Sequence, residues 1–146
     1  AFLGPYEAMK TFFHGHSYTG NQLACAAALA NLDLFEEKQT VQRVAEAEQR
    51  VASELSDWLD HPHIGDVRGR GLMWGIELIK DKNNGLEYEW QERIAIQICD
   101  RCRELGMLSR PLGNVLIFMP PLCSTDKELQ AMLSILRRAL DDITEC

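Results

Sequence analysis

The sequence lacks the features by which proteins bind nucleic acid, cross membranes or enter the secretory pathway. Its formal net charge is −7 and its pI is about 5.1, whereas a nucleic-acid binder shows a basic patch or stripe. It contains no run of about eighteen apolar residues, which a transmembrane helix requires. The N-terminus, AFLGPYEAMK, has no basic segment followed by an apolar one, so we expect no secretory signal there. We therefore expect neither a nucleic-acid partner nor a membrane partner.

A disulfide framework and a metal site are also missing from the pattern. The cysteines number five, and Cys25, Cys99 and Cys102 fall in apolar helical patterns, where a free thiol behaves as a small hydrophobe. The Cys99–Cys102 spacing is that of a redox or zinc motif, but the pair lies within a helix and no second such pair exists. The histidines, in His-Gly-His and His-Pro-His, are not accompanied by a ligand set. These observations predict a reducing, cytoplasmic compartment and no metal.

The first half of the chain has the periodicity of two helices, at residues 19–37 and 39–60. The first is small or apolar nearly all round, which predicts that it is buried. Thr19 and Gln22 have the spacing of a capping box at its start. The second helix has apolar residues at helical spacing and charges on its other side, and it ends at His61-Pro62-His63.

Beyond this point the apolar period changes to two. Val67–Lys80 is predicted to be one strand, with Leu72, Trp74, Ile76 and Leu78 on one face. Its glycines do not form a dinucleotide-binding loop, because such a loop follows a strand and opens a helix. They predict instead a strand that packs closely against another element.

The last part of the chain predicts helix, hairpin and helix. A helix is expected over residues 89–105, strands at Met107–Arg110 and Val115–Met119, and a last helix whose capping box is Thr125 and Glu128. No internal repeat or linker is visible. The order predicts an α/β class (α+β small domain): a few-stranded sheet with helices packed on one side.

The segment Gly15–Asn21 is the first candidate site. It places the hydroxyls of Ser17, Tyr18 and Thr19 just before a predicted helix. A helix N-terminus has unpaired N–H groups and the positive end of a dipole, so hydroxyls there complete a cradle for phosphate or carboxylate. Caps and turns alone would use the same residues, and the pattern favours neither interpretation.

Arg110 is the second candidate. It ends a short apolar segment and is followed by Pro111 and a turn. An arginine fixed in this way can present its planar fork to a carboxylate through two parallel hydrogen bonds. A solvent-exposed charge at the end of a strand explains the position at least as well.

Together, these segments resemble the class-III (subgroup II) aminotransferases of pyridoxal 5′-phosphate (PLP) fold type I. The resemblance covers nearly the whole chain. It is carried by FHGHSYTGNQLACAA at Phe13–Ala27, VRGRGL at Val67–Leu72, GIEL at Gly75–Leu78, RPLG at Arg110–Gly113, and Pro120-Pro121. It implies the fold of the C-terminal domain of these enzymes.

The resemblance also implies a role for each matching residue. Ser17 corresponds to a phosphate-binding hydroxyl, more often a threonine, that reaches the PLP of the neighbouring subunit, and Tyr18 lies at the same cofactor site. Gly15 corresponds to a glycine that lines the substrate pocket. Arg110 corresponds to the arginine that receives the substrate carboxylate. The intact enzyme is therefore expected to be a homodimer that acts on a small amino or keto substrate.

The variants at Ser17, Gln22 and Arg110 are most similar to the branch that transfers an amino group to 8-amino-7-oxononanoate in biotin biosynthesis. The lysine that holds PLP covalently has no counterpart here, so no catalytic residue is expected. Residues 1–18 are predicted to end the large domain and 19–146 to form the small domain of a longer enzyme. The alternatives are another class-III enzyme for ornithine, 4-aminobutyrate or ω-amino compounds, and a non-catalytic domain that dimerises or binds a partner.

Overall fold

The computed structural model describes residues 4–11 and 14–145. Phe13, which begins the aminotransferase-like block, and Cys146 lie outside these residues. The chain divides into two compact units, Ala1–Lys38 and Gln39–Cys146. Within the described ranges, no helix combines the length and the hydropathy that a membrane crossing needs.

The first unit contains a 3-10 turn at Tyr6–Ala8 and helix α1 at Gln22–Glu37. The predicted start at residue 19 was wrong. Asn21 caps the helix by accepting a hydrogen bond from the Ala24 N–H at 3.0 Å. Thr19 lies in the preceding turn, where its hydroxyl oxygen accepts from the His16 N–H at 2.8 Å. Its side chain is thus already used, and no Thr19–Gln22 capping box forms.

The prediction that α1 is buried was also wrong. No residue of α1 is buried, and Leu23, Leu29 and Leu32 are 83%, 64% and 60% exposed. Cys25, which shares this helix, is exposed as well. Burial requires a second layer, and the described residues of this unit supply only the short turn at Tyr6–Ala8 besides α1. A helix that is apolar on all sides is therefore buried only where another element packs against it.

The second unit contains a four-stranded antiparallel sheet of order β1-β2-β4-β3. The strands are β1 at Ile64–Arg70, β2 at Met73–Leu78, β3 at Arg110–Leu112 and β4 at Val115–Phe118. The single strand predicted over Val67–Lys80 is in fact a β1–β2 hairpin. Gly71, at φ +59°, begins its two-residue loop, a position at which hairpins favour glycine. The sequence prediction had placed this turn glycine within a strand.

The predicted hairpin is confirmed as β3–β4, but its first strand lies later in the sequence than predicted. That strand begins at Arg110, where the prediction had it end, and the loop is Gly113-Asn114. Gly113 has φ +58°, as such a loop permits. Pro111 lies within β3, which is an edge strand, and there the missing proline N–H leaves no ladder bond broken.

Three helices complete the second unit: α2 at Thr40–Asp57, α3 at Ile94–Glu104 and α4 at Asp126–Thr144. The predicted helix over 89–105 starts later, because Arg93 at φ +50° separates α3 from a 3-10 turn at Trp90–Glu92. The capping box at the start of α4 is confirmed: Glu128 accepts from the Thr125 N–H at 2.7 Å and donates its own N–H to the Thr125 hydroxyl oxygen at 3.3 Å.

One hydrophobic core joins the three helices to one face of the sheet. In β2, Trp74, Ile76 and Leu78 are buried, whereas the alternate residues are not. Buried side chains from all three helices belong to the same cluster. The predicted layering, a small sheet with its helices on one side, is confirmed, and it leaves the other sheet face uncovered by the second unit's helices.

Candidate functional site

Arg110 lies on the sheet face that points away from the helices. Within β3, only the middle residue Pro111 is half-buried, opposite the fully buried Leu116. Because side chains alternate along a strand, Arg110 and Leu112 share the opposite face. The Arg110 side chain is exposed, and no hydrogen bond or ion pair joins its guanidinium to any of the residues that the structure describes. Its charge is therefore available to an anion from outside this part of the chain.

An apolar cleft of about 350 Å³ adjoins Arg110. Arg110 and Ser109 are the polar side chains of its lining, which also includes Met107, Met119 and Met132. Methionine is flexible and polarisable, so it adapts to alkyl chains. A guanidinium at the rim of an apolar cleft is suited to a carboxylate that carries an aliphatic chain.

The second candidate segment is a turn in the first unit, at residues 17–20. The turn is held by two backbone bonds: the Thr19 N–H donates to the His16 carbonyl at 2.9 Å, and the Asn21 N–H donates to the Tyr18 carbonyl at 3.1 Å. Tyr18 is 76% exposed and Ser17 is exposed as well. Neither hydroxyl bonds to a described residue, so both remain available to a ligand.

Some residues of this segment therefore serve as cap and turn residues, whereas others remain available to bind a phosphate or carboxylate. Thr19 and Asn21 serve the turn and the helix cap, whereas Ser17 and Tyr18 are not needed for either. Gly15 is not required by packing, because a Cβ there would meet only the Thr19 hydroxyl, at 3.8 Å. A hydroxyl pair beside an open glycine fits a phosphate oxygen that accepts hydrogen bonds.

The cysteine and histidine motifs do not form sites. Cys99 and Cys102 are buried in α3, as predicted, and burial raises the pKa of the Cys102 thiol to about 12, which keeps it protonated and unreactive. Among the described residues, no group of three or more His, Cys, Asp or Glu side chains could hold a metal ion.

His61 is a buried structural histidine, 3% exposed. Its Nδ1 accepts a hydrogen bond from the His63 N–H at 3.1 Å. Its Nε2 lies 3.3 Å from an Asp141 carboxylate oxygen, without a well-aligned hydrogen bond to any described residue. Burial lowers the pKa of His61, and the charges of Arg137 and His63 act in the same direction, against the opposing effect of Asp141.

This lowered pKa predicts acid sensitivity. The unfolded chain takes up a proton at an ordinary histidine pKa of about 6.5, before the folded chain does. Neutral His61 therefore stabilises the fold above about pH 6.5, and this contribution is lost as the pH falls below that value. Urea titrations between about pH 7 and pH 5 should show a falling free energy of unfolding. His61→Gln should flatten this slope, and His16→Gln, at an exposed position, should not. An unchanged slope in His61→Gln would contradict the assignment.

The five lysines include three with partners in the chain. Lys38 pairs with Glu37 and Lys80 with Glu92, while Lys82 donates to the Leu59 carbonyl. The remaining two, Lys10 and Lys127, lie on an exposed segment and in the first turn of α4. None lies in a buried pocket of the kind that activates an amine.

The profile of the family described as Aminotransferase class-III matches residues 1–140. A curated relative from Anoxybacillus flavithermus, an adenosylmethionine-8-amino-7-oxononanoate aminotransferase, is 48% identical over 99% of this chain and 32% of its own length. A relative of the same name from Nitratidesulfovibrio vulgaris is 46% identical over 99% of this chain and 27% of its own. The chain thus spans about a third of the length of the relatives it matches.

Solved structures give the same result. The adenosylmethionine-8-amino-7-oxononanoate aminotransferase of Methanocaldococcus jannaschii matches with a TM-score of 0.83 and 40% identity, over 97% of this chain and 32% of that one. An aminotransferase from Vibrio fluvialis in its PMP-bound form matches with a TM-score of 0.86 and 30% identity, over 95% of this chain and 31% of that one. An omega-aminotransferase from Paracoccus denitrificans matches with a TM-score of 0.85 and 31% identity, over 95% of this chain and 31% of that one. The resemblance found in the sequence is confirmed, and the chain belongs to the class-III aminotransferase family.

Proposed function

We propose that the intact protein is a PLP-dependent aminotransferase that transfers an amino group to 8-amino-7-oxononanoate, the reaction of biotin biosynthesis. The observation that supports this choice of substrate is Arg110, whose guanidinium has no partner among the described residues and lies at the rim of an apolar cleft. This substrate combines a carboxylate with an aliphatic chain, which matches both features. The names of the relatives at 48% and 46% identity support the same substrate.

The residues of the first unit fit the phosphate end of the cofactor. PLP, when bound, supplies the electron sink for amino-group transfer. Ser17 and Tyr18 offer hydroxyls that bond to none of the residues the structure describes, and Gly15 leaves room for a ligand beside them. We propose that Ser17 and Tyr18 bind the cofactor and that Gly15 lines the substrate pocket. The PMP-bound Vibrio fluvialis aminotransferase supports this cofactor.

Ser17→Ala in the intact enzyme is expected to weaken PLP binding by about ten- to a hundred-fold, because a hydrogen bond to a charged phosphate contributes about 1.5–3 kcal/mol. Ser17→Thr keeps the hydroxyl and should bind PLP nearly as the unmodified enzyme does. Titration of the apoenzyme, followed by PLP absorbance, measures both dissociation constants. Equal PLP affinities of the alanine and threonine variants would contradict the assignment of Ser17 to the cofactor site.

The remaining proposals concern the rest of the enzyme. We propose that it is a homodimer, that residues 1–18 end the large domain and that 19–146 form the small domain. The PLP-binding lysine is assigned to a part of the enzyme outside this chain, since the lysines here are paired or lie on exposed segments. The free, buried thiols of Cys99 and Cys102 support a cytoplasmic location for the protein.

A second candidate is an aminotransferase for ω-amino compounds, which the similarity to the omega-aminotransferase of Paracoccus denitrificans favours. Assays of the intact enzyme separate the two candidates. The first predicts transfer to 8-amino-7-oxononanoate, with much slower reaction of amines that lack a carboxylate. Faster turnover of the carboxylate-free amines would favour the second. A start codon directly before Ala1 would instead favour a stand-alone, non-catalytic domain.

A further inference from the structure

We propose that Ser109 and Asn114 are positioning residues that brace the strand of Arg110 and so fix the place of its guanidinium. This inference rests on the proposed function, because it concerns how the carboxylate-binding arginine is held. Neither residue follows from the motifs in the sequence.

The strand that carries Arg110 has little support of its own. Strand β3 is three residues long and lies at the edge of the sheet, so it pairs only with β4. The guanidinium also has no partner among residues 4–11 and 14–145. Its position is therefore set by the backbone of the strand and by whatever holds that backbone.

Ser109 holds the strand on the N-terminal side. Its hydroxyl donates to the Ile117 carbonyl at 3.0 Å, and Ile117 is the residue directly opposite Arg110 in the sheet. The bond is half-buried, so water competes with it less than at an open surface. It ties the residue before Arg110 to the strand that Arg110 pairs with.

Asn114 holds the hairpin at the other end. Its side-chain amide donates to the Tyr88 carbonyl at 2.8 Å, and its own carbonyl accepts from the Leu78 N–H at 2.9 Å. Tyr88 is itself held, since its hydroxyl lies 2.8 Å from His63 Nδ1. The loop of the hairpin is thereby attached to the end of β2 and to the segment around Tyr88.

Arg110 thus lies between two bonds from side chain to backbone. This arrangement matters because a bidentate guanidinium–carboxylate contact depends on direction as well as distance. A displacement of about 1 Å at such a contact can cost a large factor in rate. Loosening either brace should therefore weaken recognition of the carboxylate without touching the reacting atoms.

The test uses the intact, PLP-loaded enzyme and the ratio of kcat/KM for 8-amino-7-oxononanoate to kcat/KM for its neutral carboxamide analogue. Asn114→Ala and Ser109→Ala should each lower this ratio by about five-fold, the effect of one lost hydrogen bond. The change should lie mainly in KM. Ser109→Thr, which keeps the hydroxyl, should restore the ratio. Asn84→Ala is the control, because the Asn84 side-chain amide also donates a hydrogen bond, to the Asp81 carboxylate, but in a different turn.

A double-mutant cycle with Arg110→Ala tests whether Ser109 and Asn114 act by positioning the Arg110 guanidinium. Without the guanidinium, Asn114→Ala and Ser109→Ala should leave the ratio unchanged, because braces have nothing left to position. Equal losses with both substrates, or a further fall of the ratio in the Arg110→Ala background, would overturn the proposal. An unchanged ratio in Arg110→Ala alone would instead overturn the carboxylate assignment itself. If thermal melting shows that an alanine variant does not fold, Asn114→Ser and Ser109→Cys give the same comparison.

Discussion

Arg110→Ala in the intact enzyme is expected to lower kcat/KM for 8-amino-7-oxononanoate by about 100-fold. A hydrogen bond to a charged group contributes about 1.5–3 kcal/mol, and about 1.4 kcal/mol corresponds to a factor of ten. The neutral carboxamide analogue makes no ion pair with the guanidinium, so its kcat/KM should change by less than about three-fold. Steady-state kinetics with both substrates measures the difference.

Two variants sharpen this result. Arg110→Lys keeps the charge but loses the planar fork, so its kcat/KM for the carboxylate substrate should fall between those of the unmodified enzyme and Arg110→Ala. Arg43→Ala removes another exposed arginine, on α2, whose side chain likewise has no partner among the residues described. It should leave both substrates unaffected. A loss of equal size for the carboxylate and the carboxamide would show that Arg110 acts on folding or on the cofactor rather than on the carboxylate.

Local signals in the sequence predicted the parts of the fold that depend on neighbouring residues. Thr125 and Glu128 are three residues apart, and each satisfies the other's backbone N–H, so their spacing alone predicts the start of α4. The apolar sides of α2, α3 and α4 repeat at helical spacing and form the core. The same reasoning mistook Gly71 for a strand glycine, because a two-residue turn barely interrupts the alternation on either side of it.

Properties that depend on distant residues could not be predicted in this way. The burial of α1 depends on which surface packs against it, and nothing within the helix determines that. The bond from Asn114 to Tyr88 joins residues 26 positions apart, and an asparagine after a glycine predicts a turn but not what its amide contacts. For Arg110, sequence reasoning supplied the residue, whereas the structure supplied the cleft beside it and the two bonds that brace its strand.

The glycines of the β1–β2 hairpin lead to the prediction with the largest effect on stability. A Cβ at Gly69 would overlap the Trp74 ring and would lie 2.6 Å from the Met73 carbonyl oxygen. Neither neighbour can move easily: Trp74 is buried, its indole N–H donates to the Gly71 carbonyl at 2.9 Å, and the Met73 carbonyl belongs to the sheet. Gly69→Ala is therefore expected to lower the free energy of unfolding by about 3 kcal/mol, at the upper end for an overpacked site.

Gly75→Ala provides the matched control, because it makes the same substitution in the other arm of the hairpin. Its Cβ would lie 3.1 Å from a Val115 methyl group, which can adjust, and 3.9 Å from the Arg68 carbonyl oxygen, which is an ordinary van der Waals contact. We expect a loss below about 1 kcal/mol, partly offset by the reduced entropy of the unfolded chain, which is common to both variants. Urea titrations followed by tryptophan fluorescence measure the two values. If Gly69→Ala unfolds at the same urea concentration as Gly75→Ala, the close approach of Trp74 is not what requires glycine in β1.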